Sequence, residues 1–488
     1  MTETPSIPYR FEPTAHVAEI VDANQGLEPG TETGTKVTIA GRMLLRRVQG
    51  KLAFATLADH TGRIQLFAPQ KTTPRFDDLT ALNLGDWIGV TGEVMTTRRG
   101  ELSVRVDDWA LLAPSVRSFP DKWHGIRDTE TRYRQRYVDL WVTEGARDRF
   151  LLRSRVVSLI RRWLEGRGFV EVETPMLHPV PGGAMARPFT THHNALDTEL
   201  YLRIAPELYL KRLVVGGIER VFEIGRTFRN EGVSTRHNPE FTMLELYQAY
   251  ADYHDIMELV EQLVEHLALE IHGTTVIPQG EATIDVAAPW RRASMAELVT
   301  EQLGREVSID TPIDELRALA TEHGVSPEEA WGPGKILVEI YEKTTESNLV
   351  GPVFVTDHPK ETSPLSRDHR EHPLLTERFE AIALGRELCN AFSELTDPVE
   401  QRARFEHQAA QKEAGDDEAM VVDEDYLRAL DYGLPPTGGL GIGIDRLIML
   451  LADTTSIRDV VLFPTLRPEQ FGTEGGAESD DDEATVDD

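Results

Sequence analysis

The chain has 488 residues, of which 40% are hydrophobic and 27% charged, and its formal net charge is −31. This length predicts two or three domains with ample material for a core. The single cysteine, Cys389, excludes an intrachain disulfide framework and fits a reducing compartment. No apolar run approaches the ~20 residues of a membrane span, and the N-terminus lacks a signal-peptide pattern, so we expect a soluble, cytoplasmic protein.

The negative charge is unevenly distributed along the chain. Between Lys36 and Ser115, eleven basic residues stand against eight acidic ones, so this segment is slightly positive. Local field rather than total charge decides where a phosphate backbone binds. The stretch from Glu474 to Asp488 holds eight acids in fifteen residues and almost no apolar side chains. We expect residues 471–488 to form a disordered acidic tail.

Residues 36–115 contain five short strand patterns separated by turn residues, among them Gly50 and Gly100. Five strands in so short a segment predict a small closed barrel, and the oligonucleotide-binding fold is the commonest five-stranded candidate. Such barrels bind single strands by stacking bases on aromatic side chains beside cations. Residues 1–35 precede the barrel as a short extension without a catalytic signal.

One face of this barrel holds a candidate stacking residue. Phe54 and Gln65 fall on adjacent strand patterns, Arg46 and Arg47 precede them, and Glu101 follows. An aromatic residue in a barrel is as consistent with the core as with a base-stacking platform. The residues therefore leave both interpretations of Phe54 open.

Residues 116–144 form a polar linker, and the segment after them predicts a packing scaffold. Between residues 149 and 168, apolar residues recur at helical spacing, and Gly168 stands where a helix ends. Residues 169–175 then alternate as a strand that ends at Pro175. We expect residues 150–175 to pack, including against a second subunit.

The stretch 222–251 predicts a long hairpin with anion-binding side chains. Two alternating runs flank a polar turn, and Arg226 and Arg229 lie on the first run. An ordinary hairpin with a solvated charged loop explains the same residues equally well. Two candidate ligand-binding residues precede this hairpin. Gly183 lies in a loop where the absence of a side chain lets a ligand approach the backbone closely. Glu207 lies at a predicted helix start, a position that the helix dipole alone also explains.

Residues 275–350 predict a mix of short helices and loops without a chemical signal, and two later segments add candidates for binding a metal ion and a phosphate. Residues 378–394 predict another hairpin, with Glu380 and Glu387 on opposite strands. Carboxylates with phosphate oxygens usually hold Mg²⁺, although acids on the wet face of a sheet explain the pair equally well. Residues 438–446 run from a glycine-rich strand into an apolar helix that begins near Arg446. No βαβ unit surrounds these glycines, which excludes a dinucleotide fingerprint and leaves an arginine placed to bind phosphate.

Taken together, these segments resemble the class II aminoacyl-tRNA synthetases, specifically the lysyl members of the aspartyl, asparaginyl and lysyl subgroup. The resemblance covers about residues 35 to 470. The first family motif, which builds the dimer interface, resembles 150–175; the second resembles 228–241 and the third 438–446. Three motifs in this order behind an oligonucleotide-binding barrel form a highly specific signature.

The resemblance implies an α+β fold with two main domains. A five-stranded oligonucleotide-binding barrel occupies 36–115, and a class II catalytic domain with an antiparallel sheet flanked by helices occupies 145–470. The extension before residue 35 is shorter than the leader common in the family. The acidic tail lies outside the resemblance.

The resemblance also implies the residues that bind ATP. The arginine that matches Arg229 contacts the α-phosphate and the substrate carboxylate, and the one that matches Arg446 contacts the γ-phosphate; these two are the implied catalytic residues. Such a displacement needs positioning and charge neutralisation rather than a side-chain nucleophile. Further ATP contacts are implied for Glu231, His237 and Phe241, and Mg²⁺ ligation for Glu380 and Glu387.

The implied amino-acid pocket favours lysine over aspartate or asparagine. Two carboxylates and a phenol suit a desolvated ammonium, whereas a substrate carboxylate would need a cation, and we find none at these positions. The residues that match the pocket are Gly183, Glu207, Arg229, Glu245, Tyr247, Asn390, Phe392 and Glu394. In the barrel, the positions that read the central uridine of the anticodon match Arg47 (or Arg46), Phe54, Gln65 and Glu101.

The implied activity is the ligation of lysine to its tRNA through lysyl-adenylate, with L-lysine, ATP, Mg²⁺ and tRNA(Lys) as partners and a homodimer formed through 150–175. One alternative is a paralogue that lysylates a protein, although such relatives typically lack the barrel. The other is a non-catalytic regulatory or RNA-binding module on the same fold. Intact Arg229, Glu380, Glu387 and Arg446 argue against that module.

Overall fold

The computed structural model describes residues 7–117, 126–416 and 418–468. The acidic tail predicted at 471–488 lies outside these residues. The chain divides into two compact units, Met1–Glu144 and Gly145–Asp488. No helix within the described ranges is both long and apolar enough to cross a membrane.

The first unit is built around a closed five-stranded barrel with the strand order β1-β2-β3-β5-β4, as the sequence predicted. Its core consists of alternate inward-facing residues such as Ile39, Leu57, Leu66, Val90 and Val104. The elements of this unit are α1 (Val17–Ala23), β1 (Glu32–Gln49), β2 (Leu52–Ala58), β3 (Arg63–Pro69), α2 (Phe76–Ala81), β4 (Trp87–Thr96), β5 (Leu102–Ala113), α3 (Thr129–Arg134) and α4 (Arg136–Val142).

The second unit begins with the long helix that the periodicity predicts. Its first half consists of α5 (Ala146–Glu165), β6 (Val170–Glu171), β7 (Leu177–His178), β8 (Thr190–His193), β9 (Thr198–Leu202), α6 (Glu207–Val215), β10 (Arg220–Phe228), β11 (Glu240–Ala249) and α7 (Tyr253–His272).

The second half consists of β12 (Val276–Gln279), β13 (Ala282–Asp285), β14 (Arg291–Ser294), α8 (Met295–Leu303), α9 (Ile313–Glu322), α10 (Pro333–Thr344), β15 (Val353–Thr356), β16 (Arg378–Ala383), β17 (Arg386–Ser393), α11 (Pro398–Glu413), α12 (Glu424–Asp431), β18 (Thr437–Gly443) and α13 (Ile444–Leu451).

An eight-stranded sheet organises this unit, in the order β14-β15-β16-β17-β18-β11-β10-β6. The six central strands pair antiparallel, as expected, whereas each edge strand pairs parallel with its neighbour, so the whole sheet is mixed. Apolar residues of α5, α7 and α13 pack with the sheet in one continuous core. The two hairpins, β10–β11 and β16–β17, are thereby held on either side of β18.

Two local predictions differ from the structure. The strand predicted at 169–175 is only two residues long, because the side chain and backbone N–H of Thr174 donate to Glu223 Oε2 instead of continuing the ladder. Between 275 and 350, where the sequence suggested only short helices and loops, the hairpin β12–β13 and the edge strand β14 also form. Strands of four residues are too short to give a clear alternation in sequence.

Candidate functional site

A cavity of about 350 Å³ opens over the sheet where β11, β17 and β18 lie side by side. Its walls come from the hairpin predicted at 222–251, the hairpin predicted at 378–394 and the strand–helix junction at 438–446. Three segments far apart in sequence therefore meet at one site.

One end of the cavity is rich in arginine. Arg229 follows β10, and its guanidinium carbon lies 5.2 Å from the centroid of the Phe241 ring, which belongs to β11. Arg446 lies in the first turn of α13 and donates from Nη1 to the carbonyl oxygen of Glu387 at 3.0 Å and to its Oε2 at 2.9 Å. Both guanidinium groups line the cavity. This end is suited to a polyanion, because arginine binds phosphate oxygens in pairs.

The loop between β10 and β11 closes over the same end. Glu231 and His237 both line the cavity. His237 Nδ1 lies 3.1 Å from Ser234 Oγ, which also accepts from the His237 backbone N–H at 3.0 Å. Partial burial and the nearby Arg446 lower the pKa of His237, so its imidazole is neutral at physiological pH. A neutral ring can donate its N–H to a bound phosphate without adding fixed charge.

A buried ion pair ties the arginine-rich end to the scaffold. Asp445, just before Arg446, is 2% exposed and accepts from the Arg153 guanidinium of α5. Its other oxygen accepts from the Thr242 backbone N–H at 2.8 Å, and Arg153 also donates to Thr242 Oγ1 at 2.9 Å. The helix, the hairpin and the glycine-rich strand are thereby fixed relative to one another.

Glu380 and Glu387 lie on the β16–β17 hairpin and line the same cavity. In this structure each pairs with an arginine: Glu380 Oε1 with Arg378 at 2.6 Å, and Glu387 Oε2 with Arg446 at 2.9 Å. Burial, followed by repulsion from Glu380, raises the pKa of the neighbouring Glu346 to about 7, so a third acidic side chain lies close to this pair. Carboxylate oxygens are hard donors that fit a divalent cation such as Mg²⁺.

The opposite end of the cavity is buried and acidic. Glu207, at the start of α6, and Glu245 and Tyr247, on β11, are between 3% and 6% exposed and line the wall. Tyr247 donates from its hydroxyl to Glu245 Oε2 at 3.2 Å. Burial and repulsion from Glu207 raise the pKa of Glu245 to about 8. Among the described residues Glu245 forms no ion pair, so its carboxylate would need a cation from a ligand when ionised.

Glycines keep the acidic end open. Gly183 has φ +87, a conformation that favours glycine, and a Cβ there would lie 3.0 Å from the Glu207 Cβ. Gly439 of β18 faces Tyr247, and a Cβ on it would lie 2.7 Å from the tyrosine ring. Side chains at these positions would fill the space beside the carboxylates.

Asn390 and Phe392 of β17 complete the acidic end and line the cavity, but Glu394 does not line it. Asn390 Oδ1 accepts from Arg378 Nε at 2.9 Å. Glu394 lies behind this wall, 1% exposed, and forms an ion pair with Lys211. Lys211 Nζ also lies 2.5 Å from Glu207 Oε1, so an ammonium lies beside the pocket at a position that the sequence did not single out.

Three of the four candidate residues of the barrel lie on one face of their sheet, and the fourth, Glu101, lies just before β5. Arg47 pairs with Phe54 across β1 and β2, and its guanidinium carbon lies 5.4 Å from the ring centroid. Phe54 pairs in turn with Phe67 of β3, with ring centroids 5.7 Å apart. Cross-strand partners share a face, so Phe54 points away from the barrel core, of which it is not a member.

Gln65 extends this face toward β5. It pairs with Ser103, and its Nε2 donates to Ser103 Oγ at 2.9 Å. Glu101 is exposed at the end of the turn that leads into β5, two residues before Ser103. The face thus presents an arginine, two aromatic rings and polar groups in a row, which is the composition expected of a single-strand binding surface.

Comparison with known families identifies this combination of barrel and cavity. The family of class II tRNA synthetases (D, K and N) matches residues 128–467, and an OB-fold nucleic acid binding domain matches residues 37–112. This chain belongs to the class II tRNA synthetases of the D, K and N group. The family resemblance and the α+β fold inferred from the sequence are both confirmed.

Relatives within the D, K and N group of synthetases cover almost the whole chain. A lysine–tRNA ligase of Synechococcus sp. (strain CC9605) is 55% identical over 94% of this chain and 93% of its own length. One from Synechococcus sp. (strain RCC307) is 54% identical over 96% of this chain and 94% of its own length. One from Bacillus subtilis (strain 168) is 51% identical over 94% of this chain and 93% of its own length. The similarity therefore extends through both units.

Several residues of this class II synthetase site were not predicted from the sequence. Lys211 lies four residues after Glu207 on a helix, a spacing that places two side chains on the same face and that would have revealed the pair. Arg153 gives no local signal, because it reaches the site from α5, whereas Arg378 lies two residues before its partner Glu380 on β16. Arg203, fully buried and 2.5 Å from Glu223, supports β10 in the same way.

Proposed function

We propose that this chain is a lysine–tRNA ligase. The observation that carries the proposal is one cavity with two arginines at one end and buried carboxylates at the other, joined by the β10–β11 hairpin. The arginine-rich end suits a triphosphate, and the acidic end suits a substrate with an ammonium side chain. Lysine–tRNA ligases that are more than half identical along nearly the whole chain support the same assignment.

In the first step, a lysine carboxylate oxygen attacks the α-phosphorus of ATP, the bond to the β-phosphate oxygen breaks, and pyrophosphate leaves. Arg229 lies where the two substrates would join and would bind both the attacking carboxylate and the α-phosphate. Arg446 would bind the γ-phosphate, and Phe241 would stack on adenine, with Glu231 and His237 as further contacts. These residues position the reactants and balance charge, so no general base is required.

Glu380 and Glu387 would hold Mg²⁺, which neutralises charge on the phosphates when bound. Their donor chemistry and the further acidic side chain of Glu346 nearby support this assignment. The arginines that pair with them here, Arg378 and Arg446, orient the carboxylates.

At the acidic end, Glu207 and the Gly183 backbone would bind the α-ammonium group of lysine. Glu245, Tyr247 and Glu394 would surround the ε-ammonium, with Asn390 and Phe392 beside them. In the second step, a ribose hydroxyl at the 3′ end of the tRNA attacks the lysyl carbonyl carbon, and AMP leaves. Phe54, Arg47, Gln65 and Glu101 would bind the anticodon, a role that the common face of the first three supports.

We also propose that the chain forms a homodimer through residues 150–175 and acts in the cytoplasm. Large apolar side chains are exposed on and beside this segment: Leu151 is 60% exposed, Val170 51% and Met176 47%. Exposed apolar patches of this kind mark interaction surfaces. Light scattering of the purified protein would give twice the chain mass, and a monomeric mass would contradict the proposal.

The decisive experiment for the activity is ATP–pyrophosphate exchange measured with each of the twenty amino acids. Exchange that depends on lysine alone is expected, and exchange with another amino acid would refute the assignment. Lysine-dependent charging of tRNA then separates a tRNA ligase from an enzyme that lysylates a protein. Absence of exchange with every amino acid would favour a non-catalytic module.

A further inference from the structure

Lys211 is a buried ammonium at the acidic end of the cavity, and the roles proposed above give it no function. It lies one helical turn after Glu207 on α6, and its side chain is 0% exposed. Nζ lies 2.5 Å from Glu207 Oε1 and also contacts Glu394 Oε2. The rings around it have centroids 5.4, 5.9 and 5.9 Å from Nζ and belong to Phe392, Tyr247 and Tyr426.

Packing alone does not account for a lysine at this position. Desolvating an ammonium with two carboxylates costs more than burying apolar side chains of similar volume, and the surrounding rings would accept a methionine. A charge is therefore placed where stability does not require one. This points to a role in setting the charge and orientation of Glu207 and Glu394.

The charge balance of the pocket indicates what that role is. Glu207, Glu245 and Glu394 carry three negative charges when ionised, and Lys211 neutralises one of them. Free lysine brings two ammonium groups, and its carboxylate has Arg229 as a counter-ion in the proposed mechanism. The charges of these three carboxylates and of the two ammonium groups of lysine therefore sum to zero only when the charge of Lys211 is included.

The contacts of Glu394 show how the ammonium holds a carboxylate in place. Oε2 forms the ion pair with Lys211, whereas Oε1 is buried and has no hydrogen-bond partner among the described residues. Oε1 occupies the space beside Gly439, where a Cβ would lie 1.9 Å away. One oxygen is thus fixed by Lys211, and the other lies beside Gly439 and Tyr247 at the wall of the cavity.

We propose that Lys211 is a positioning and specificity-determining residue: its ammonium holds Glu207 and Glu394 as oriented carboxylates and sets the pocket charge so that it matches an amino acid with two ammonium groups. The inference rests on the proposed lysine activation and adds a residue that acts through other side chains.

Several charged or titratable groups face these three side chains. They are Glu245 and Tyr247 of β11, Tyr426 of α12 and Arg378 of β16. Burial lowers the pKa of Lys211, but Glu207 and Glu394 outweigh burial and raise it. Burial raises the pKa of Glu207 and of Glu394, and Lys211 opposes both rises. Without the ammonium, both carboxyls would bind protons at higher pH.

The first test compares Lys211→Met with the wild-type enzyme in lysine-dependent ATP–pyrophosphate exchange. We expect the KM for lysine to rise by about tenfold or more, with the KM for ATP nearly unchanged, because a pKa rise of one unit changes occupancy of the charged form tenfold. The acid limb of the lysine kcat/KM profile should move to higher pH. Lys343→Met, which removes an exposed lysine on α10, serves as the matched control.

The second test is chemical rescue. Lys211→Ala leaves a space shaped for an alkylammonium, so added n-propylammonium or n-butylammonium should lower the KM for lysine again. Lys211→Met fills that space and should not respond. A folded alanine variant with an unshifted pH profile and no response to amine would overturn the proposal, because a purely structural lysine predicts that result.

A third measurement uses only the wild-type protein and so does not depend on how the variants fold. Calorimetry of lysine binding in buffers of different ionisation enthalpy gives the number of protons released. If Lys211 keeps Glu207 and Glu394 ionised, only Glu245 loses a proton when lysine binds near pH 7. About one proton or less is then released per lysine bound. Release of two or three protons would overturn the proposal. Absence of lysine binding would refute the proposed function itself.

Discussion

The two ends of the cavity differ in how their charges are balanced. At the arginine-rich end, the side chains of Arg446 and Glu387 are 29% and 38% exposed, so water screens their charges. At the acidic end, Glu207, Lys211 and Glu394 have side chains between 0% and 8% exposed, and charge has to be balanced within the protein or by the ligand. A partly solvated site can hold unbalanced charges while empty, whereas a buried site cannot.

This difference is reflected in the pKa values of the buried end. At the buried end, the carboxyl of Glu245 has its pKa raised to about 8, and Tyr247 is raised well above its usual value, both primarily by burial. The two ends nevertheless share one hairpin, since Phe241 and Glu245 are four residues apart on β11. Substitutions at each end separately test whether the two ends bind different substrates.

The largest effect is expected where the two ends meet. Arg229→Ala removes the guanidinium proposed to bind both reacting groups, so lysine-dependent ATP–pyrophosphate exchange should fall by roughly 10²–10³-fold or more. The assay is exchange at saturating lysine and ATP. Arg402→Ala, which removes an arginine of α11 paired with Glu424 on the surface, should leave exchange intact. Retained exchange in Arg229→Ala would rule out the proposed adenylation site.

The next largest effect separates the two substrates. Glu394→Gln leaves Lys211 with one carboxylate instead of two and should raise the KM for lysine by about 10–100-fold, against a small change in the KM for ATP. Glu400→Gln, on α11 and paired with Lys360 and Arg404, is a matched control in the same unit. A larger change in the KM for ATP would place the ammonium pocket elsewhere.

Glu245 makes lysine binding pH-dependent. Its pKa is about 8 in the folded protein against an ordinary value of 4.5, so below pH 8 binding of an ammonium must displace a proton. The KM for lysine should therefore fall by up to about tenfold per pH unit between pH 6 and pH 8 and then level off. Kinetics across this range in Glu245→Gln should show a weak, uniformly pH-independent affinity instead.

The same raised pKa has an opposite consequence for stability. Between pH 4.5 and about 8 the folded protein holds a proton on Glu245 that the unfolded chain has released, so this group's contribution to stability decreases as pH rises through that window. Glu245→Gln removes the decrease and should raise the unfolding temperature relative to wild type more at pH 8 than at pH 6. An equal shift of the unfolding temperature at pH 6 and pH 8 would mean that Glu245 is already ionised in the empty pocket.

The smallest effect is expected outside the cavity. Phe54→Ala should weaken tRNA charging by roughly fivefold, near the low end of the ~1–3 kcal/mol for a stacked base, because Phe67 remains beside it. Pyrophosphate exchange without tRNA should be unchanged, since Phe54 is not part of the barrel core. Tyr9→Ala, which removes a fully exposed ring, is the control. Equal losses in both assays would indicate a structural role for Phe54.

The sequence determined the elements and the chemistry that lie close together in the chain. Alternation predicted the five barrel strands and the hairpins β10–β11 and β16–β17, and periodicity predicted α5, because each depends on local spacing. The three family motifs identified the synthetase group, and Arg229, Phe241, Glu380 and Arg446 all line the cavity as the motifs implied.

Only the tertiary structure decided how the site is balanced. Asp445 is fixed by Arg153 nearly three hundred residues away, and Lys211 of α6 reaches Glu394, which follows β17. Each of these ion pairs brings two distant segments together and desolvates them, and no local pattern records that distance. For this reason the sequence suggested a pocket without a cation, and the fold places Lys211 behind the pocket wall.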